Sequence, residues 1–429
     1  MSGESATTVP VIGTSNVIDG GGDLVELVKE ALAANPEVRR MEAEAQAAWE
    51  RVPQARALPD PMAEGTVFGE PQMMGDGEMR GTLMISQAFP YFKQLGARGQ
   101  QAAFEALMLQ QEAQATRLRI VADVEEAWYR LYLLGQLLRI NDANRQLITP
   151  LVQVATSRVN VGETTPGDVV LGTLELSRTE EERLMLEQQI ASRKAMLNRL
   201  LNRPSDSPVV IPGEIDESPG NPSLDELRAV AFQQQPEVIA ARLRTTATAW
   251  GIRVARLERI PEVSLSYEHM FMKMNPGIEG SDPWRVGVGA NIPLWRGKYR
   301  AMEREARQEN LAANLGVEEA MREYDAMLFD LLEQARAAEQ SARLYRNTIL
   351  PQARQAVEVD QRAYGQGTVT FERVIGNVRN LLTAEAAYHR SITDRAIAVA
   401  RLKQAVGGQL PATGEELHIP ELLPPLFPD

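Results

Sequence analysis

The sequence predicts a mainly α protein with a small membrane β portion, built twice over from one unit of helix, strand, strand, long helix and helix. Three observations carry that prediction. Ala31-Leu-Ala-Ala-Asn-Pro-Glu-Val38 returns 200 positions later as Ala231-Phe-Gln-Gln-Gln-Pro-Glu-Val238, too long a period for a solenoid and the mark of a duplicated half. Trp284, Val286, Val288, Ala290 and Ile292 alternate with Arg285, Gly287, Gly289 and Asn291, the period of a strand with two different faces. Val317, Met321, Tyr324, Leu328, Leu331, Ala335, Ala338, Ala342, Tyr345 and Ile349 then follow at 4-3 spacing, the seam of a supercoiled helix.

Taken in order, residues 1–22 are polar and Gly-rich and read as a loose leader. The first repeat spans 23–212. It opens with a helix from Asp23, places strands at about 62–70 and 80–89, and continues as a helix over about 95–159. The second spans 213–410, with strands at about 263–272 and 284–292 and a helix over about 299–363. At ~1.5 Å per residue each long helix is on the order of 100 Å. Pro150 and Pro351 fall inside them and are expected to bend them. Both helices stop at glycine turns, Gly162 to Gly167 and Gly365 to Gly367, and a second helix returns from each. Residues 411–429 are a Pro-rich tail.

Composition narrows the function. A net charge of −13 opposes a nucleic-acid partner. Without cysteine there is no disulfide and no thiolate metal site. No run of about eighteen apolar residues offers a transmembrane helix. The first residues lack the basic and apolar regions of an export signal, so export would require a reading frame that begins upstream of Met1. The three histidines, His269, His389 and His418, are far apart, and no HExxH, GxSxG or Gly-rich phosphate loop is present. The chain therefore does not read as an enzyme, and no cofactor is implied.

Strands of about ten residues suit a tilted crossing of a bilayer. Four of them cannot close a barrel, and open edges in hydrocarbon leave backbone groups unpaired. The chain must assemble, with its long helices continuing as a tube. A soluble coiled-coil scaffold is the rival reading; it fits the acidic charge but leaves the twice-repeated strand pairs unexplained.

Gln87-Ala-Phe-Pro90 and Asn291-Ile-Pro293 stand at the strand-to-helix junctions. Arg158-Val-Asn-Val-Gly162 with Asp168-Val169-Val170, and Tyr364-Gly-Gln-Gly367 with Glu372-Arg373-Val374, mark the two turns. In these phrases, and in its duplication over about residues 23–410, the chain resembles the TolC-like outer-membrane efflux proteins, closest to the heavy-metal and drug efflux branches. The resemblance implies a homotrimer with a shared twelve-stranded barrel in outer-membrane lipid and a helical tunnel across the periplasm. It also implies docking to a periplasmic adaptor and an inner-membrane pump. The cargo would be small molecules or metal ions, with a conduit for secreted proteins as the variant reading.

By the same resemblance the turn glycines Gly162, Gly167, Gly365 and Gly367 would form the periplasmic tip where an adaptor docks. Glycine also simply permits the positive φ of such a turn. Asp168 would ring the tunnel entrance and favour cations, or it is a first-turn acid stabilising its helix. Copy two has Glu372 and Arg373 there, and Gly376 where a further acid is expected, so an Arg373 salt bridge is the alternative lock. Met73, Met74 and Met79 lie near the first hairpin loop, and Met270, Met272 and Met274 near the second, beside His269. Thioethers are soft-metal ligands; the plainer reading is apolar residues facing lipid or packing the barrel mouth.

Overall fold

The computed structural model describes residues 22–74, 77–215, 222–274, 282–408 and 410. Most of the 1–22 leader and the 411–429 tail lie outside the described residues. Helix α1 spans Gly22–Ala34 and α2 Pro36–Arg56; strands β1 and β2 span Met62–Met74 and Gly77–Phe89; α3 runs Phe92–Asn160 and α4 Pro166–Leu200. The second copy repeats the order with α5 Leu224–Gln234, α6 Pro236–Leu257, β3 Val263–Met274, β4 Trp284–Ala290 and α7 Arg296–Leu344. A π-helical turn at Tyr345–Ile349 leads into α8 Leu350–Gly365, and α9 is Phe371–Val406.

Local chemistry sets the breaks. Asn35 accepts from Glu37 N at 2.9 Å and donates to the Leu200 carbonyl at 2.9 Å, capping α2 ahead of Pro36. Ser223 and Glu226 form a reciprocal capping box at α5, with bonds of 2.8 and 3.3 Å. The two internal prolines behave differently. α3 passes through Pro150 without interruption. Before Pro351 the Leu350 N–H reaches the Tyr345 carbonyl, five residues back, in a widened turn next to a residue that cannot donate.

The chain divides into two compact units. One holds the described residues of Met1–Val38, Thr116–Ala231 and Tyr324–Asp429; the other holds Arg39–Ala115 and Phe232–Glu323. In the first, apolar stripes of α3, α8 and α9 form a core that includes Ile148, Leu151, Val357, Tyr364, Phe371, Val374 and Val378. A second core joins Val38, Ile120, Val124, Leu131 and Leu197 with Leu24, Leu27 and Val28 of α1, where Ala31 is fully buried. The heptad seam of α7 buries Tyr324, Leu328, Ala335 and Ala338 as spaced, but Leu332 is buried where Leu331 was expected and Leu331 is half-buried. A straight helix at 3.6 residues per turn drifts off a 3.5 repeat in this way.

The second unit carries an antiparallel sheet of order β1-β2-β3-β4. Register shifts between Val67 and Gln72 in β1 and between Met79 and Gly81 in β2 mark irregularities near the hairpin end. The pairing sorts side chains onto two faces. Rows such as Ala63–Ile85–Tyr267–Val286 and Gly65–Leu83–His269–Trp284 make one face apolar and aromatic. The alternate rows, Met62–Ser86–Ser266–Gly287 and Glu64–Met84–Glu268–Arg285, make the other polar. A Cβ on Gly287 or Gly289 would stand 2.7 Å from the Oγ of Ser266 or Ser264, so the glycines of β4 leave room for the serines opposite. Among the described residues β1 and β4 pair on one side only.

Candidate functional site

Both hairpin turns of the helical unit are built alike. Gly162 and Gly367 have φ of +78° and +77°. Glu163 N bonds the Arg158 carbonyl at 2.9 Å and Gly162 N the Val159 carbonyl at 3.0 Å; Thr368 N and Gly367 N repeat the pattern on Ala363 and Tyr364, both at 3.0 Å. These are Schellman closures, in which a left-handed residue lets the last carbonyls be satisfied. Gly167 lies in the first turn of α4, and Gly365 ends α8 with open space around it. Of the four glycines singled out, two therefore need a left-handed backbone.

The side chains around the turns are not alike. Arg158, two residues before the end of α3, donates to the Tyr364 carbonyl of the other hairpin at 2.8 Å, and its guanidinium lies 5.1 Å from the Tyr364 ring centroid. A Cβ on Gly367 would meet the Arg158 Nη2 at 3.0 Å, so the second turn is shaped around this arginine. Tyr364 packs against Phe371 with ring centroids 5.4 Å apart. Its hydroxyl is buried without a well-formed hydrogen bond. Burial first, and then the negative charge of Asp168, push the phenol above its ordinary range. Asp168 itself accepts from Thr164 Oγ1 at 2.6 Å.

Arg373 does form a salt bridge, with the buried Asp360 at 3.0 Å, which Asn377 also contacts at 2.5 Å. That bridge joins α8 to α9 inside one hairpin; Glu372 beside it is exposed. The pairing between hairpins is carried by residues that sequence reasoning passed over. Arg379 of α9 grips both carboxylate oxygens of Glu175 in α4, one of them at 3.1 Å, and Arg178 adds a bond of 2.8 Å. Glu175 is 8% exposed. The Arg379 hydrogen bonds above all hold its carboxyl below the ordinary range, against the opposing effect of burial. One turn earlier in α4, a Cβ on Gly172 would stand 2.4 Å from Val152 Cγ2 and 3.0 Å from the Phe371 ring, so α4 approaches closely there because Gly172 has none. Glu175 lies one heptad beyond Asp168, a spacing that could have drawn attention to it.

In the sheet, the register places Met270 and Met272 on the polar face, with Met79 directly opposite Met272. Met274 pairs with Gly77 at the end of β3. Met73 alone of the hairpin methionines whose side chains are described lies on the other face, in a row with Glu78 and Lys273. His269 contacts Phe271 at 4.9 Å and Asp282 at 3.5 Å, on the face away from Met270.

Comparison with known proteins decides the family. The sequence model for outer membrane efflux proteins matches residues 27–203 and 227–408, the two copies in turn. The chain belongs to the outer membrane efflux protein family. It is 26% identical to the outer membrane protein OprJ of Pseudomonas aeruginosa over 419 residues, covering 90% of this chain and 84% of that protein. It is 20% identical to the outer membrane protein TolC of Vibrio cholerae, covering 92% and 93%. Among solved structures, the outer-membrane channel OprN superposes with a TM-score of 0.74 at 20% identity, covering 90% of each chain. VceC of Vibrio cholerae superposes at 0.75 and 21% identity, covering 90% of this chain and 96% of that one. The expected fold class, long duplicated helices with four strands contributed to a membrane barrel, is the one found. As a member of the outer membrane efflux proteins the chain is an outer-membrane efflux channel, and the soluble scaffold is set aside. Among the described residues no helix is long and apolar enough to cross a membrane.

Proposed function

We infer that the chain is one subunit of a homotrimeric, passive conduit for small molecules or metal ions, opened at its glycine turns by a periplasmic adaptor and powered by an inner-membrane pump. One observation carries the assembly: the sheet is apolar on one face and polar on the other, yet its outer strands β1 and β4 each pair on one side only. Three copies of four strands close a ring of twelve, which removes every edge and encloses the polar face.

The gate is the set of ties between the two hairpins of each subunit. Arg158 on the Tyr364 carbonyl ties α3 to α8 and Arg379 on Glu175 ties α9 to α4, so the two hairpins are held together near the turns, and their separation widens the passage. Asp168, Glu372 and Arg373 tune charge at the same place, and Gly162, Gly167, Gly365 and Gly367 form the surface that the adaptor engages. No residue performs covalent chemistry.

Single-channel recording of an Arg158→Ala/Arg379→Ala variant in a planar bilayer tests this. The gate reading expects larger conductance and longer open events than the native protein, whereas unchanged conductance would remove these ties from the gate. Asp168→Asn should lower cation preference in the same recordings, and Arg373→Ala should have the smaller effect on opening because its bridge stays within one hairpin.

A further inference from the structure

The methionines of the sheet are not scattered. Seven of them have described side chains, and the register puts six on the polar face: Met62, Met74, Met79, Met84, Met270 and Met272. Only Met73 is on the apolar face. An apolar side chain needed merely for lipid contact belongs on the opposite side, where Leu83, Ile85, Val263, Leu265, Val286 and Val288 stand.

Their order along the sheet is regular. On the polar face Met62 shares a row with Ser86 and Ser266, Met84 the next with Glu64 and Glu268, and Met270 the next with Thr82. Met79 and Met272 then face each other directly, and Met74 stands in the following row opposite Gly77. From the Met62 row to the Met74 row each polar-face row thus holds at least one thioether, about 7 Å from the last, while the Ala88–Ser264–Gly289 row holds none. Met84 sits between two carboxylates in its row, and the neighbouring side chains are serine and threonine rather than aliphatic. Met270 is 8% exposed while Met62 and Met74, at the two ends of the series, are 71% and 50% exposed, so the series is most enclosed at its middle.

We propose that this face binds soft monovalent cations, of the Cu(I) and Ag(I) class, through a ladder of methionine thioethers centred on Met79, Met270 and Met272. Thioether sulfur is a soft, uncharged ligand that selects such ions over Na⁺ or Mg²⁺. Glu64 and Glu268 raise the local cation concentration without themselves being soft ligands, and Arg285 neutralises part of that charge by pairing with Glu268. Weak sites repeated along a path let an ion enter and still leave. The proposal rests on the polar face being the lumen of the channel.

The chain has no cysteine and three histidines, so Ag(I) titration reports chiefly on methionine. Silver nitrate is titrated calorimetrically into the full-length protein in detergent and chloride-free buffer. The triple variant Met79→Leu/Met270→Leu/Met272→Leu keeps side-chain volume, and should lose affinity by at least about tenfold. Met73→Leu and His269→Gln should bind as the native protein does. Equal binding by the triple variant and the native protein would overturn the ladder. Conductance in potassium nitrate is recorded alongside. A conducting native protein that takes up no silver contradicts the ladder and leaves the channel standing; methionine-dependent binding without conductance supports the site and removes the channel.

Discussion

At Glu175 a half-exposed arginine meets a buried carboxylate, and that contrast sets what the pair is worth. Removing Arg379 leaves Glu175 enclosed with only the exposed Arg178, so Arg379→Ala should destabilise by about 1–2 kcal/mol, below the value for a fully buried pair because Arg379 is 53% exposed. The carboxyl is held below its usual 4.5, so this contribution is complete above that value and is lost as pH falls through the lower folded-state pKa. Thermal denaturation from pH 7 downward should show a loss of stability on the acid side of 4.5 that Glu175→Gln reduces, the remainder coming from other depressed carboxyls such as Glu126. Tyr364 gives the opposite expectation. Its hydroxyl is buried near Asp168 and Arg158 without a well-formed hydrogen bond, so Tyr364→Phe should leave the melting temperature unchanged or raise it; a drop equivalent to more than about 1 kcal/mol would show a hydrogen bond that the geometry lacks.

Among the elements, the glycine turns and the close approach of α4 depend on the absence of a Cβ for different reasons. At Gly162 and Gly367 the cost of a side chain is conformational, so valine at either should destabilise by about 1–2 kcal/mol in chemical denaturation. At Gly172 the backbone is helical and the cost is steric; Gly172→Leu should lose about 1–3 kcal/mol by displacing Val152 and Phe371. These elements also show what was legible in sequence. The turns were readable because Gly-containing phrases follow long periodic helices, and β4 because alternation is a local signal. Copy-one strands alternate less cleanly, and the register explains why: β2 changes face between Met79 and Gly81, so that Thr82, Met84 and Ser86 share a face with Met79 and Gly77 and no single period describes the strand. The ties Arg158–Tyr364 and Glu175–Arg379 span 206 and 204 positions and leave no periodic trace in either helix. Arg373 was readable as a bridging residue, but its partner Asp360 was not, since thirteen residues around a turn is a distance only the fold supplies.

For the whole molecule, a four-stranded sheet with two one-sided edges needs further copies to close it, and the proposed completion is a ring of three. Every functional statement about gating and lumen depends on that ring. The direct measurement is single-channel conductance of the purified protein in a planar bilayer, with subunits counted by native mass in the same detergent. A trimer giving discrete ion-conducting events is the predicted result. A monomer that stays in solution and never inserts would contradict the channel at its root.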